Sequence, residues 1–227
     1  MPVQSKRSRG ALLALFVLSV AATASAQILP VAGATDLYDL IPARDRAGIE
    51  SERAAIRQTE AAADADLIQV RAALEQERGL VEIKKKEIGV IKARVDQAKK
   101  AKDDAQRAQL EAQKKAQETE QALLERRVEM RERERDFTEA RKKAAEADGA
   151  ALDRELELVV QRESLRGATA EQLAQQTQRV RDGERAVLNA AREAAAKRAE
   201  AQQKDAALFD SRIKVLEAQF AALAARG

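Results

Sequence analysis

After Pro42 the chain runs to Gly227 without another proline. Proline costs about 3 kcal/mol inside a helix, so a stretch of this length that avoids it is built to be helical. Apolar residues recur along it with a seven-residue period. Ile49, Ile56, Ala63 and Val70 form one line, and Leu67, Leu74, Val81, Ile88 and Val95 a complementary one, with Ile91 and Ala98 continuing it. Steps of three and four between such lines are the seam of a coiled coil. The line thins into Ala101, Ala105, Ala108, Ala112 and Ala116. It strengthens at Leu123, Leu124, Val128, Phe137, Leu152, Leu156 and Val159, and ends in a 4-3-4-3 run of Phe209, Ile213, Leu216, Phe220 and Leu223. The remaining positions are mostly Glu, Lys, Arg and Gln, as on a solvated helix face. The expected fold class is all-α, built from long coiled-coil helices, with Ile49, Ile56, Leu67, Val70, Leu74, Val81, Ile88, Ile91 and Val95 as the helix-pairing seam.

Glycine and capping residues place the breaks. In Glu163–Gln172, Gly167 suits the left-handed position that ends a helix. Thr169 suits the N-cap of the next, with Gln172 three residues on completing a capping box. The spacing predicts one helix over 44–166 and a second over 169–226, a helical hairpin with its main turn at 166–169. Asp148-Gly149 is the alternative turn and Asp182-Gly183 a third. With arms so unequal, the seam over 46–106 would be left open, which implies self-association, a dimer above all, or pairing with another envelope coiled-coil protein.

The first 26 residues read as an address. Lys6, Arg7 and Arg9 precede an apolar run, Ala11–Ala22, and Ala24 and Ala26 stand at the −3 and −1 positions of a signal-peptidase site, so cleavage is expected before Gln27. The apolar run gives about 18 Å of helix, short of the ~30 Å hydrocarbon core, and no later segment is long enough to span a membrane. The expected location is the periplasm of a bacterial envelope. Residues 27–43, with Pro30, Gly33, Pro42 and the single Tyr38, form an irregular leader, either packed on the first helical turns or docking a partner.

Charge follows from that cleavage. The chain has 41 basic and 38 acidic residues, and three of the basic ones lie in the address, so residues 27–227 are formally neutral. The basic balance of the whole chain therefore gives no ground for nucleic-acid binding, and no aromatic residues interleave the lysines for base stacking. The segment 84–115 nevertheless holds eleven bases against five acids, whereas 50–78 holds four against seven. Lys84, Lys85, Lys86, Lys99, Lys100 and Lys102 are candidate contacts to anionic lipid or glycan. The plainer reading is a solvated face that sets register against an acidic neighbour.

Chemistry is sparse. There is no His and no Cys, so the commonest general base and all thiolate chemistry are missing. Only Ser51, Ser164 and Ser211 follow the address, none in a nucleophile elbow. No phosphate loop or calcium loop appears. The expectation is no enzyme, no metal and no cofactor, but a scaffold, spacer or adaptor acting by helix–helix docking. In helical periodicity the chain is similar to the helical hairpins of envelope adaptor proteins and to the coiled-coil regions of murein-hydrolase activators. It lacks the β-rich and peptidase-like domains of those proteins, and no family is assigned. A periplasmic holdase chaperone with helical arms is the alternative, which the two prolines of the leader disfavour, and a surface-binding protein acting through 84–115 is another.

Overall fold

The computed structural model describes residues 41–224, which are helical almost throughout. The signal-cleavage residues Ala24, Ala26 and Gln27, and the leader up to residue 40, lie outside the described residues. Three long helices follow one another: α1 (Arg46–Ala101), α2 (Asp104–Leu165) and α3 (Ala170–Ala224). At 1.5 Å per residue they measure about 84, 93 and 82 Å.

The single helix expected over 44–166 is divided. α1 stops at Ala101, Lys102 takes a left-handed conformation (φ 56°, ψ 31°), and α2 starts after Asp103. The amide of Asp103 donates to the carbonyl of Ala98, and that of Lys102 to Lys99. These two bonds form a Schellman closure, which satisfies carbonyls the helix end leaves free. The carboxylate of Asp103 accepts from the amide of Gln106 at 2.9 Å, capping α2. Lysine stands here in place of the usual glycine, so the turn carries no glycine signal in the sequence.

The segment 166–169 separates α2 from α3. Gly167 does not adopt a left-handed conformation there. α2 instead closes in tight three-residue turns, Arg166 donating to Glu163 and Ala168 to Leu165. Thr169 donates its amide to the Gln172 side chain at 3.3 Å. Gly149 and Gly183, the two other candidate turns, lie inside helices. Both mark close approaches. A Cβ on Gly183 would overlap the Gln161 side chain and stand 3.2 Å from Leu158, and one on Gly149 would stand 3.3 Å from Glu60.

α2 runs antiparallel between the other two helices. α1 and α3 pack on α2 but not on each other, their backbones nowhere approaching within 8 Å Cα to Cα. Ion pairs mark the α1–α2 register: Lys142 to Asp64 at 2.7 Å, Arg78 to Glu132 at 2.9 Å, Arg127 to Glu77 at 2.5 Å and Lys84 to Glu120 at 3.1 Å. Arg162 to Glu184 at 2.7 Å and Arg198 to Asp148 at 2.8 Å mark that of α2–α3. Arg162 also donates to the carbonyl of Ile41 at 2.6 Å, and Ile41 packs on Leu158, Val180 and Val187. Ile41, at the end of the leader, therefore rests on α2 and α3.

The seam of α1 is closed within the chain. Ile49, Ala63, Leu67, Val70, Leu74, Val81, Ile88, Ile91 and Ala98 are buried, with Ile56 and Val95 half-buried. Turning back at Lys102 lays α2 along the whole of α1, which removes the open seam on which self-association was expected. Two members of the line are charged, Glu77 and Lys84. Glu77 is 5% exposed and faces Arg127. Lys84 bonds Gln117 at 2.7 Å as well as Glu120. On α3 the buried line is Val180, Val187, Ala194, Ala201, Leu208, Val215 and Ala222, a strict seven-residue repeat.

Candidate functional site

The expected C-terminal seam is on the wrong side of its helix. Phe209, Ile213, Leu216, Phe220 and Leu223 are 62, 41, 53, 71 and 63% exposed. The residues that face α2 are their neighbours Leu208, Ser211, Val215 and Ala222. A 4-3-4-3 spacing says that five side chains share a face; it does not say which face meets the intramolecular partner. The result is an uncovered apolar stripe about 21 Å long on a flank of α3, centred about 100° round the helix from the line that faces α2. Further back along α3 the same outward positions carry Arg192, Ala195, Ala199 and Gln202, all exposed, so the stripe is confined to the last third of the helix.

The turn at Lys102–Asp103 makes a second surface. Lys214 Nζ lies 3.9 Å from Glu129, so the remaining ten residues of α3 bring its end level with about residue 119 of α2. Beyond that level α1 and α2 continue as a two-helix tip of about 24 Å. The basic segment 84–115 maps onto this tip, its two halves folded side by side. Lys86, Lys92, Arg94, Lys99, Lys100, Lys102 and Lys115 make no ion pair among the described residues. The two lysines at its base differ. Lys84 is held between Glu87 and Glu120, and Lys85 pairs with Glu82 at 2.9 Å. Hydrogen bonds to Glu87 and to Glu82 respectively raise their pKa values, so both stay charged. Of the six candidate contacts, Lys86, Lys99, Lys100 and Lys102 are free to meet a ligand; Lys84 is committed to fold register.

A groove of about 440 Å³ opens over α2 between α1 and α3, with Val70, Ala73, Phe137 and Leu208 as apolar walls and Arg131 and Arg212 among its cations. The Nε of Arg131 is buried without a hydrogen-bond partner. Its one hydroxyl, on Thr138, donates to the carbonyl of Glu134 at 2.8 Å, and among the described residues no group of acidic side chains is arranged to hold a metal ion. Among them, too, no helix is long and apolar enough to cross a membrane. Searches of protein families, of curated proteins and of solved structures find no match to this chain.

Proposed function

We propose that the protein is an exported, non-enzymatic scaffold or adaptor of the bacterial periplasm, a rod of antiparallel coiled coils that works by helix–helix docking. The observation that carries the reading is the uncovered 4-3-4-3 stripe on α3. Five large apolar side chains in helical register fit a partner helix, and α3 already meets α2 through its other line, so folding has no use for them. The leader of 27–43 is a further docking contact in this reading. A photo-crosslinking residue at Phe220 is expected to give discrete adducts in intact cells, and one at Gln202 on the same outward face is expected to give none. Equal labelling from both positions, or recovery of the chain uncleaved in the cytoplasm, would refute the reading.

The second reading is contact with an anionic envelope surface through the tip, favoured by the turn that gathers the +6 segment at one end of the α1–α2 pair. Each Lys or Arg near an anionic lipid surface contributes about 1 kcal/mol, and the attraction decays within a Debye length of ~8 Å at physiological salt. Co-sedimentation with vesicles containing anionic lipid is expected at low salt and lost at high salt. It should also be lost in the variant Lys99→Glu/Lys100→Glu/Lys102→Glu. Binding insensitive to salt excludes it.

A further inference from the structure

We infer that the stripe Phe209–Leu223 is a self-pairing surface, covered in solution by the same stripe of a second copy lying parallel and in register. The inference rests on the docking reading above and supplies its occupant. Area is the first argument. At 41 to 71% exposure the five side chains leave roughly 500 Å² per copy. Two copies would remove roughly 1,000 Å² before flanking side chains are counted, close to the ~1,200 Å² at which specific interfaces begin.

Side-chain shape is the second. In heptad terms Ile213 and Phe220 occupy a positions, and Phe209, Leu216 and Leu223 occupy d. At the centre of the stripe Ile213 and Leu216 put a β-branched residue at a and leucine at d, the combination that favours parallel two-stranded pairing. Charge is the third. In parallel register Arg212 of one copy faces Glu217 of the other, twice by symmetry, and neither residue has an ion partner among the described residues. The opposing term is Asp205 facing Asp210 at the polar end of the stripe, where the apolar layer is only Ala206. An antiparallel alignment that matches a to d layers would instead bring Asp210 against Glu217 across the interface.

Parallel pairing sets the two basic tips side by side at one end of the dimer. Glu77 is level with Arg127, Glu129 with Lys214, and Lys102 lies 25 residues beyond Glu77, about 38 Å further along. Antiparallel pairing would therefore hold the two Lys102 residues about 75 Å apart, parallel pairing at roughly three or four helix diameters, 30–40 Å.

The natural chain has no cysteine, so Lys102→Cys takes a single spin label. The test uses the chain from Gln27 and measures mass by light scattering and label separation by pulsed electron resonance. The expected result is a dimer with a 30–40 Å separation. Leu216→Glu, at a half-exposed position, should weaken dimerisation at least 100-fold with helicity unchanged. Glu217→Gln should weaken it about threefold by removing the Arg212 contact. A separation near 75 Å, or tightening by Glu217→Gln, would overturn the parallel arrangement. A chain that stays monomeric at about 100 µM, where any obligate dimer is assembled, would overturn self-pairing. If crosslinking at Phe220 persisted in that case, the docking reading would stand with a foreign helix as occupant.

Discussion

Removing the partner of Glu77 tests how the α1–α2 register is held. Glu77 sits in the apolar line of α1 at 5% exposure, one carboxylate oxygen on Arg127 at 2.5 Å and the other buried without a hydrogen bond. Arg127→Met keeps most of the packed volume and leaves a buried carboxylate unpaired. Breaking a buried pair in this way costs 3–5 kcal/mol in general. Here proton uptake sets a ceiling, since neutralising an ordinary carboxylate at pH 7 costs about 3.7 kcal/mol. The Arg127 side chain is 39% exposed, so part of the lost attraction was already screened, and we expect a loss of about 2–3 kcal/mol at pH 7. The ceiling falls with pH, to about 1 kcal/mol at pH 5. Urea unfolding followed by far-ultraviolet circular dichroism should thus show the variant losing 2–3 kcal/mol at pH 7 and no more than about 1 at pH 5. The double variant Glu77→Leu/Arg127→Met should regain the wild-type value or exceed it. An equal deficit at both pH values would refute the argument, because the cost would then not be that of a buried charge.

The Lys102 turn gives two further tests by the same assay. Lys102→Gly relieves a left-handed lysine and should add about 0.5–1 kcal/mol, while Asp103→Ala removes a cap and should cost about 1 kcal/mol. Gly89 lies within α1 for no packing reason, since a Cβ there would meet nothing within 4 Å. Gly89→Ala should stabilise by up to about 1 kcal/mol. Glu155 is a pH-sensitive group of the opposite sign to most carboxylates. Desolvation raises its pKa, with Arg44 opposing. The folded chain then holds its proton to higher pH than the unfolded chain does, so this group's contribution to stability falls as pH rises from the ordinary carboxylate value through the raised one. Glu155→Gln should remove that decline, seen as a difference between the unfolding free energies of variant and wild type between pH 4 and 7.

What the sequence makes legible and what it hides divide along physical lines. Helix over most of the chain follows from the absent prolines and from periodicity, both local properties. The α1 seam is legible for the same reason, down to Ile49, Leu67 and Ile88. Its partner is not, because pairing α1 with α2 depends on one residue, Lys102, adopting a conformation that costs little more for lysine than a poor helix cap. A usable signal does exist: Asp103 followed three residues later by Gln106 is a capping pattern of the kind seen at Thr169 and Gln172. Gly167 marks a turn that does form, without the left-handed conformation expected of it, whereas Gly149 and Gly183 mislead in the opposite direction, since a glycine permits a turn without requiring one. The six lysines that stand out by number cannot be sorted by sequence either. Only the fold shows that Lys84 is spent on Glu87 and Glu120 while Lys99, Lys100 and Lys102 stand clear at the tip.

The last third of α3 shows why spacing alone cannot place a surface. Leu208, Val215 and Ala222 make a seven-residue line, and Phe209, Leu216 and Leu223 make another one position on, joined by Ile213 and Phe220. Successive residues lie about 100° apart, so the two lines together cover about half of the circumference. A helix with one apolar line needs one partner, and a helix with apolar lines on two flanks needs a second partner to cover both. α2 encloses the first line, and the larger side chains are on the second. Folding is thus completed with the smaller residues, while both phenylalanines of the helix stay outside. If the stripe were merely surplus apolar surface, converting Phe209, Leu216 and Phe220 together to Gln would leave every function intact and raise solubility. If it is an interface, the same variant folds with unchanged helicity and loses assembly, and those two outcomes cannot be confused.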